Sequence, residues 1–384
     1  MYNNQQYDVL IIGGGPAGTA TALTLLRHQP ELKVMIVETG NYQQQRVGES
    51  LPPLALDALR TLGVAESFLQ QNHLPTYGTC AAWGSDELYA NEFIFQLNNR
   101  GWHLDRCRFD AFLAEEAQDK GATLLCNSKV LNYDKQAEGY DLNIQYQNQP
   151  ISLKARFLVD ASGRNAWLAK REKVAKIRYD KLVGFCRFYY IGEDMPEDTY
   201  TLVEAWENGW WYSARLPNRQ LIVAAMTDAD LAGRYQLNTD KGWQQLLTRS
   251  THTRSRLHTV TTIDQQQAWP AASQRLIRTI GIRWLAVGDA AATLDPLSSQ
   301  GITNALRTGI FGAYAILDFF KGKSGSLEKY DRWMRESYED YLETKAQFYS
   351  EEQRWPQHAF WKKRQTGIEF ESYQNMKLWK SESP

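Results

Sequence analysis

The stretch Val9-Leu10-Ile11-Ile12-Gly13-Gly14-Gly15-Pro16-Ala17-Gly18 decides the fold of this 384-residue chain. Its first four residues are an apolar run typical of a strand buried on both faces, and the glycine-rich run follows without a break. The residues from Thr19 to His28 then predict a helix, and a second apolar strand, Lys33 to Val37, ends at Glu38. The order strand, Gly-x-Gly-x-x-Gly, helix, strand and acid predicts a dinucleotide-binding unit.

Each residue type in this unit has a physical role toward a dinucleotide. Gly13 permits the tight turn out of the strand, Gly15 lets a pyrophosphate approach the backbone, and Gly18 allows the helix to pack closely on the strand. Pro16 and Ala17 lie just before the predicted helix, whose free N–H groups and dipole at its N-terminus favour phosphate. Glu38, 20 residues after Gly18, is placed to accept hydrogen bonds from ribose hydroxyls. A purely structural glycine-rich turn is the alternative, and the complete context disfavours it.

Composition and charge exclude several classes of protein. Hydrophobic residues make up 43% of the chain, and 43 Lys and Arg stand against 44 Asp and Glu. This is ordinary globular composition without a basic footprint, so no nucleic acid partner is expected. Mean hydropathy is -0.52 and no run of 18 apolar residues occurs, so no membrane partner is expected either. The length predicts two or three domains.

Cysteine and histidine spacing gives no sign of a metal or disulfide site. The four cysteines, at 80, 107, 126 and 186, form no Cys-x-x-Cys pair, and the six histidines are scattered. We therefore predict no metal site and no disulfide framework. Met1 to Tyr7 lacks a secretory pattern, and we expect a cytoplasmic protein.

Two further strand-to-turn segments lie far downstream of the first unit. Leu158 to Arg164 ends in a turn that contains Asp160 and Gly163, and Trp284 to Ala291 runs into Gly288-Asp289. An acid at the carboxyl end of a strand is well placed to accept hydroxyl protons. A nicotinamide dehydrogenase would instead place its catalytic domain after one compact dinucleotide-binding unit.

In this order the motifs resemble the FAD-dependent monooxygenases of the para-hydroxybenzoate hydroxylase type, over roughly residues 1 to 320. The resemblance implies FAD as cofactor, with Asp289 on the ribityl hydroxyls and Arg106 facing the cofactor. For Arg106, a surface charge at a helix start is the alternative. Arg46, Ser50 and Val130 are assigned to the same site by resemblance. Because a second Gly-x-Gly-x-x-Gly is absent, NAD(P)H binds transiently or an external reductase supplies the electrons.

Two other segments resemble the tryptophan halogenases within that class. Arg46 to Pro53 and Asp295 to Ile302 are similar to the Gly-Glu-(Ala/Ser) and Pro-Leu-x-Ser-x-Gly-Ile hallmarks of this branch. In the second segment Pro296 ends a loop and Gly301-Ile302 opens a helix. The dipole of that helix would stabilise negative charge on a reduced flavin. An ordinary loop-to-helix transition is the alternative.

The residues that halogenate are missing from this sequence. The resemblance implies a lysine eight residues after Glu49, where this chain has Asp57, and residues 34 to 119 contain no lysine. The substrate-facing glutamate of the branch is replaced by Ser298, and its halide-side threonine by Gln300. We therefore predict hydroxylation or another O2-dependent oxidation. Glu49 is the one candidate acid or base, with ordering of its loop as the alternative role.

One subgroup of these flavoproteins fits the departures of this sequence from the halogenase pattern. The chain resembles the flavoproteins required to build cysteine tryptophylquinone in lysine and glycine oxidases, in Gly48 to Pro53, Ala82 to Ser85, Gly209 to Tyr212 and Arg354 to Pro356. The resemblance implies a monooxygenase that hydroxylates a tryptophan in a precursor quinoprotein amino-acid oxidase, which would be its partner. A small-molecule aromatic hydroxylase or halogenase and a non-catalytic FAD-bound assembly factor are the alternatives.

The middle of the chain predicts a second domain. Alternating, aromatic-rich segments in residues 76–100 and 176–269 predict an antiparallel sheet. In this fold such a sheet forms the substrate pocket, and the candidate pocket residues are Trp210, Trp211, Tyr212, Ser298 and Gln300. Core packing is the alternative for each aromatic residue.

The predicted architecture is an α/β protein with two interleaved domains and a tail. A Rossmann-like FAD-binding domain takes residues 1–75, 101–175 and 270–325, and the antiparallel-sheet substrate domain takes 76–100 and 176–269. Residues 326–384 form a C-terminal helical region. This tail would cap the pocket, dock a partner or add a helical layer.

Overall fold

A computed structural model of the chain describes residues 5–192, 198–258, 260–263 and 266–365. The chain divides into two compact units: unit 1 comprises Met1–His73, Leu104–Ile177 and Gln274–Tyr338, and unit 2 comprises Leu74–His103, Arg178–Ser273 and Glu339–Pro384. The region predicted as a separate tail is shared, because residues 326–338 belong to unit 1 and the rest to unit 2. Its last part, 366–384, lies outside the described residues.

Short strands alternate with helices along the described chain. The first strands are β1 (Gln6–Ile12), β2 (Val34–Val37), β3 (Ser50–Leu51), β4 (Leu74–Thr76), β5 (Gly78–Ala82), β6 (Tyr89–Glu92), β7 (Gly101–His103), β8 (Thr123–Leu125), β9 (Ser128–Gln136), β10 (Gly139–Tyr146) and β11 (Gln149–Asp160). The later strands are β12 (Lys176–Arg178), β13 (Leu182–Ile191), β14 (Thr201–Trp206), β15 (Gly209–Leu216), β16 (Gln220–Asp228), β17 (Val260–Thr262), β18 (Gln267–Pro270), β19 (Gln274–Leu276), β20 (Ile280–Gly281), β21 (Trp284–Ala286) and β22 (Ala292–Thr293).

The helices range from single turns to a 26-residue rod. They are α1 (Pro16–His28), α2 (Ala55–Leu62), α3 (Ala65–Leu69), α4 (Arg106–Asp119), α5 (Trp167–Arg171), α6 (Ala229–Ala232), α7 (Asp240–Leu247), α8 (His252–Ser255), α9 (Gly301–Phe320), α10 (Ser326–Glu351) and α11 (Ala359–Gln365).

The main sheet of unit 1 has the strand order β20-β21-β11-β1-β2-β8. All pairs from β21 to β8 are parallel, and β20 joins antiparallel at the edge. The register places Ile12 opposite both Val37 and Asp160, and Asp160 opposite Ala286. The carboxyl ends of four strands therefore meet at one edge, where parallel sheets bind their ligands. A hairpin of β9 and β10, which the sequence did not predict, extends the sheet along the first half of β11.

Helices α1 and α9 pack against each other at a distance that only glycine permits. A Cβ added at Gly309 would lie 2.5 Å from the carbonyl oxygen of Ala17 and 2.9 Å from the Cβ of Ala20. Contacts this short do not occur for real side chains, so residue 309 of α9 fits no larger residue without moving α1. The first and last major helices of unit 1 are thereby fixed to each other.

Unit 2 is built on a sheet with the order β17-β13-β16-β15-β14-β5-β6, and β18 pairs with the other part of β13. Every pair is antiparallel except β14 with β5. The predicted antiparallel sheet is therefore confirmed, with one parallel pair added. Helix α7 covers one face through Trp243, which is fully buried and lies edge-on to Trp211 with ring centroids 5.1 Å apart.

The last described residues are bound tightly to the sheet of unit 2. The indole N–H of Trp83 donates to the carbonyl oxygen of Phe348 at 2.9 Å, and the N–H of Gly84 donates to Glu352 at 2.8 Å. Trp361 donates to the carbonyl oxygen of Trp206 at 2.9 Å. The structure thus brings together the segments beginning at Ala82 and Arg354 that carried the sequence resemblance, because Arg354 also donates to the carbonyl oxygen of Ala82.

Candidate cofactor site

The glycine-rich loop lies at the carboxyl end of β1, and its glycines differ in their surroundings. Gly13 has φ of +109°, and an added Cβ would collide with the carbonyl group of Ala161. A Cβ on Gly18 would press on the carbonyl oxygen of Gly13, so α1 sits directly on the loop. Gly15, with φ of -74°, has no atom within 4 Å of an added Cβ. The loop is closed from behind and open at Gly15.

Glu38 holds this loop from the neighbouring strand. It is 5% exposed, and its two carboxylate oxygens accept from the N–H of Gly14 at 2.7 Å and of Gly40 at 2.8 Å. Oε1 also lies within reach of Thr39 and Arg46, whereas Oε2 accepts from Gly14 and has a second lone pair for a hydroxyl. Tyr42, which the sequence analysis missed, donates to the carbonyl oxygen of Gly14 at 3.0 Å. Burial and the charge of Glu38 raise the pKa of Tyr42, so this phenol stays a donor.

Arg106 begins α4 and is fixed by two kinds of acceptor. Its Nε and Nη2 donate to the carboxylate of Asp110 at 3.1 and 3.0 Å, and its Nη1 donates to the carbonyl oxygens of Val47 and Gly48 at 2.7 and 3.1 Å. Burial lowers the pKa of Arg106, but Asp110, Glu49 and Asp289 together raise it above its ordinary value. Arg106 is therefore a charged, 12% exposed side chain that shapes the loop at Gly48.

Asp110 is the partner that sequence reasoning missed. Its side chain is 1% exposed, and it also receives Arg46 at 3.3 Å, while the other end of that guanidinium lies 3.5 Å from Glu38. The signal was present in the sequence, because Asp110 follows Arg106 by four residues on one helix face.

Glu49 lies in the loop that Arg106 holds. It is 3% exposed, its carbonyl oxygen accepts from Leu104, and its Oε1 has no hydrogen-bond partner among the described residues. Burial raises the pKa of Glu49 to about 7, and backbone N–H groups and the charge of Arg106 oppose the shift. A carboxyl group that titrates near neutrality can hold or release a proton at physiological pH.

Asp160 has a different position from the one predicted. It is fully buried, and its oxygens accept from Ser162 and from the N–H groups of Leu168 and Ala169 at 2.8 and 2.9 Å. These hydrogen bonds fix the turn that follows β11, so Asp160 affects the site by holding this turn in place. Gly163, in that turn, has φ of +65° and open space around an added Cβ.

Gly288 and Asp289 follow β21 at the same edge of the sheet. Gly288 packs on α1, since an added Cβ would lie 2.7 Å from the Cβ of Ala17, and its N–H donates to Thr308 of α9 at 2.8 Å. Asp289 keeps part of its carboxylate exposed, and Arg164 lies 3.4 Å from it. Burial raises the pKa of Asp289, and Arg164 and Arg106 oppose this. Asp289 therefore keeps acceptor capacity toward solvent at this edge, beside its ion pair with Arg164.

The loop from Pro296 to Gly301 leads into α9. The hydroxyl of Ser298 donates within the same loop, to the carbonyl oxygen of Asp295 at 2.8 Å. Gln300 is exposed. The N-terminus of α9 opens at Gly301, where an added Cβ would meet no atom within 4 Å. Ile302 is buried, and the buried hydroxyl of Thr303 has no partner among the described residues.

Ser50 and Val130, the two other residues assigned to the site by resemblance, are partly or fully buried in strands. Ser50 starts β3 directly after Glu49 and is half-buried. Val130 is 3% exposed in β9, opposite Ile144, so its side chain belongs to the interior of unit 1.

The aromatic pocket candidates lie in unit 2. Trp210 is fully buried and donates to the hydroxyl of Tyr349 at 3.1 Å, which is a core position. Trp211 is 1% exposed, and together with Trp206 and Trp355 it lines a recess of about 150 Å³. Tyr212 is half-buried on β15.

The residues of the unit 1 edge fit an FAD molecule. Open space at Gly15, Gly163 and Gly301 leaves room for a large ligand, and the N-termini of α1 and α9 offer N–H groups for phosphate. Asp289 offers acceptors for hydroxyls, and the unpartnered oxygens of Glu49 and Thr303 are buried polar atoms that lack a partner within the chain.

The described part of the chain has neither a cluster of metal-ligating side chains nor a membrane-spanning helix. No group of three His, Cys, Asp or Glu side chains there is arranged to hold a metal ion. No helix there is long and apolar enough to span a membrane.

Comparison with known proteins decides the family. The family described as FAD binding domain matches residues 6–340, which is most of the chain. The chain belongs to the FAD binding domain family. As a member of that family it is an FAD-dependent oxidoreductase of the monooxygenase type, as the motifs predicted.

The chain is similar to an FAD-dependent oxidoreductase, a halogenase and a tryptophan dihydroxylase. LodB of Marinomonas mediterranea, named as an FAD-dependent oxidoreductase, is 31% identical over 94% of this chain and 97% of its own length. The flavin-dependent halogenase CmlS is similar in structure, with a TM-score of 0.85 and 25% identity over 99% of this chain and 71% of its own. QhpG, titled a peptidyl tryptophan dihydroxylase essential for tryptophylquinone cofactor biogenesis, has a TM-score of 0.74 at 23% identity, over 94% of this chain and 79% of its own.

Proposed function

We propose that this protein is an FAD-dependent monooxygenase that hydroxylates a tryptophan side chain of a precursor polypeptide during the formation of a tryptophylquinone cofactor. One O2 and two electrons from NAD(P)H, or from an external reductase, convert one ring C–H bond to C–OH. The second oxygen atom leaves as water. The polypeptide partner is the precursor of a quinoprotein amino-acid oxidase.

One observation carries the proposal: the cofactor cradle is complete, but the halogenating lysine is replaced. The position eight residues after Glu49 is Asp57, which lies on α2 with a side chain 39% exposed and paired with Arg60 at 2.7 Å. An exposed carboxylate does not take up an oxidised halogen, whereas the open space at Gly15 and the partly exposed carboxylate of Asp289 are compatible with FAD. We therefore expect the chain to transfer oxygen to its substrate, because it lacks the lysine that would deliver a halogen.

The similarities support a peptide substrate. QhpG is named for the dihydroxylation of a peptidyl tryptophan, and its fold is shared with this chain. LodB, 31% identical over nearly the whole chain, is named only as an FAD-dependent oxidoreductase, and the sequence resemblance to the tryptophylquinone subgroup supports the same substrate as QhpG. The substrate class is proposed from these similarities together with the absent lysine.

When bound, FAD supplies the reduction of O2 and the transfer of one oxygen atom. The chain positions and polarises the site. The N-terminus of α9 at Gly301 directs its dipole into the open space at this edge, where it stabilises negative charge. Arg106 keeps a fixed positive charge beside Glu49, and Glu49 holds a proton near neutral pH. No further base is required by this assignment.

The test is intact-mass analysis of the precursor polypeptide, expressed with the protein, without it, and with the Gly15→Ala variant. We expect a gain of one oxygen atom per hydroxylation on the tryptophan only with the unaltered protein. A precursor that stays unmodified in the presence of FAD-loaded protein, reductant and O2 would contradict the proposal. The flavin absorbance spectrum of the purified protein verifies loading in each sample.

A halogenase is the second candidate, because the fold of CmlS covers 99% of this chain. Its test is the addition of bromide to the same reaction, with indole and free tryptophan as substrates. A brominated product would establish it. An assembly factor without chemistry would bind the precursor but yield no oxygenated product when the anaerobically reduced protein is mixed with oxygen.

A further inference from the structure

One surface of unit 2 takes no part in the candidate cofactor site. It consists of residues 84–97 and is named here the β6 edge. Every residue from Gly84 to Glu92 is exposed, including all four residues of β6. β6 pairs with β5 on one side, and within the described residues no strand pairs with its other side. Antiparallel strands ordinarily bury one face, so this strand lacks the cover that stabilises others.

Large apolar side chains are concentrated on the β6 edge. Phe95 and Leu97 are 97% and 89% exposed, Ile94 is 63%, and Leu88 and Tyr89 are close to half exposed at 46% and 49%. Single exposed apolar residues are common on protein surfaces. Five of them within residues 88–97, beside an open strand edge, are the signature of an interaction site.

The open edge also determines how a partner would bind. An unpaired strand edge presents N–H and C=O groups that add an extended segment as a further strand. Proteins usually block such an edge with lysine or proline, and residues 84–97 contain neither. The apolar side chains that follow at Phe93–Phe95, a 3-10 turn, would then receive side chains of the added strand.

Charge distinguishes the possible occupants. Glu87 and Glu92 are exposed carboxylates of the β6 edge, whereas the carboxylate of Asp86 is bound to Arg354. Arg100, just beyond this segment, lies over the ring of Trp102. A second copy of the chain would bring a second set of these carboxylates to the edge, and like charges repel. A segment that carries Lys or Arg beside apolar residues meets opposite charge.

We propose that the β6 edge docks an extended, basic and apolar segment of the polypeptide whose tryptophan is oxidised, and that this segment pairs with β6 as an added strand. The identity of the partner rests on the proposed function. The surface itself rests on exposure, strand order and charge.

The experiment uses the full-length, FAD-loaded protein and the precursor of a tryptophylquinone amino-acid oxidase that still carries its unmodified tryptophan. Phe95→Ser/Leu97→Ser is compared with Ile277→Ser/Ile282→Ser, a matched pair of exposed apolar residues in unit 1 at 50% and 81% exposure. We expect the first variant to weaken precursor binding at least about tenfold and the second to leave it unchanged. Glu87→Lys/Glu92→Lys should also weaken binding.

Hydrogen exchange locates the contact without a substitution. With the precursor present, we expect slower amide exchange in residues 88–97 and no change around Ile282. Unchanged exchange at residues 88–97, or equal affinity of Phe95→Ser/Leu97→Ser, overturns the proposal. So does a dimer of the protein alone that dissociates in this variant, since the occupant is then a second copy. Faster exchange at residues 88–97 after deletion of residues 366–384 assigns the surface to the chain's own C-terminus and overturns it too.

The outcomes separate this proposal from the proposed function. Binding through the β6 edge without oxygenation supports the docking surface and contradicts the monooxygenase assignment. Oxygenation and binding that are equal for the parent protein and Phe95→Ser/Leu97→Ser support the monooxygenase and remove the docking surface. A precursor that neither binds nor reacts overturns both.

Discussion

At the scale of single residues, Glu49 is the most informative side chain of the cofactor edge. It is buried with one oxygen unpartnered, and burial raises its pKa to about 7. A carboxyl group with a raised folded pKa binds more protons in the folded than in the unfolded state between about pH 4.5 and 7. Its ionisation therefore costs stability as the pH rises through this window, and the cost is absent below it.

The raised pKa of Glu49 predicts how its substitution changes stability with pH. Glu49→Gln should stabilise the protein relative to the parent at pH 8 and have little effect near pH 4.5. The difference is bounded by about 3 kcal/mol, and urea unfolding of the FAD-free protein at a series of pH values measures it. Glu66→Gln, at an exposed site on α3, is the control. A stability difference that does not grow with pH would show that Glu49 is already ionised in the folded protein.

The glycines of the first loop give a second prediction at this scale. An added Cβ at Gly15 meets no atom of the chain, whereas at Gly18 it would clash with the carbonyl oxygen of Gly13. Gly15→Ala should thus fold with unchanged thermal stability in the absence of FAD and bind FAD at least about tenfold more weakly. Gly18→Ala should lower the stability of the FAD-free protein. Equal FAD affinity of Gly15→Ala and the parent, by flavin fluorescence titration, would place the pyrophosphate elsewhere.

At the scale of one element, α4 is a helix that presents a cation to the cofactor edge and neutralises it within one turn. Arg106 and Asp110 are separated by four residues, and both are nearly buried. The pair fixes the loop at Val47 and Gly48, because the remaining donors of Arg106 are directed to those carbonyl oxygens. Helix, ion pair and loop therefore form one unit of structure.

Removing the acid from this unit gives the third prediction. Asp110→Asn leaves the Arg106 guanidinium buried with a weaker partner, and unpairing a buried ion typically costs about 3 to 5 kcal/mol. Asp57→Asn on α2 breaks an exposed pair and should cost less than about 1 kcal/mol. Chemical denaturation of both variants makes the comparison. Similar losses for the two variants would mean that the Arg106 pair is no stronger than a surface pair.

Local sequence predicted the elements that are contiguous, and it failed where the partner lies far along the chain. Strand β1, α1 and β2 follow from one unbroken pattern, since each is specified by its own residues. Tyr42 was missed because it lies in an irregular loop with φ of +63°. Asp160 was assigned to the cofactor because an acid after a strand can accept either from a ligand hydroxyl or from backbone N–H groups. The sequence does not show that the N–H groups of Leu168 and Ala169 donate to it.

The aromatic candidates show the same limit over a longer distance. Trp210 is buried because Tyr349, 139 residues later, packs on it and accepts its indole N–H. No periodicity in β15 reveals a partner so distant in sequence. The alternating pattern predicted the sheet, and the packing of α10 and α11 decided which aromatic residues became core.

At the scale of the whole molecule, the last described helix of unit 2, Ala359–Gln365, is a part of that unit's core. Arg364 and Asp228 form an ion pair at 2.8 Å with side chains only 1% and 2% exposed, and Arg364 lies over the ring of Phe360. Lys363 reaches the same carboxylate at 3.2 Å. The helix that carries these cations is therefore anchored to the end of β16.

The fourth prediction concerns this anchor. Arg364→Met should destabilise the protein by about 3 kcal/mol, because Asp228 stays buried with Lys363 as its one remaining cation. Adding Asp228→Asn should restore part of the loss, since no carboxylate is then left unpaired. Thermal unfolding and limited proteolysis within α11 measure both effects. Lys323→Met, which removes an exposed pair with Asp318, is the control, and a loss of equal size there would contradict the role of the anchor.

The close contact of Gly309 with Ala17 has a consequence for biosynthesis. The glycine-rich loop is synthesised long before the helix that packs behind it, Gly301–Phe320. Until that helix has been made, the glycine-rich loop lacks the packing of α9 against α1. Contacts this distant in sequence form late in folding. Stable capture of the flavin is therefore expected only after helix α9 has been made and has packed against α1.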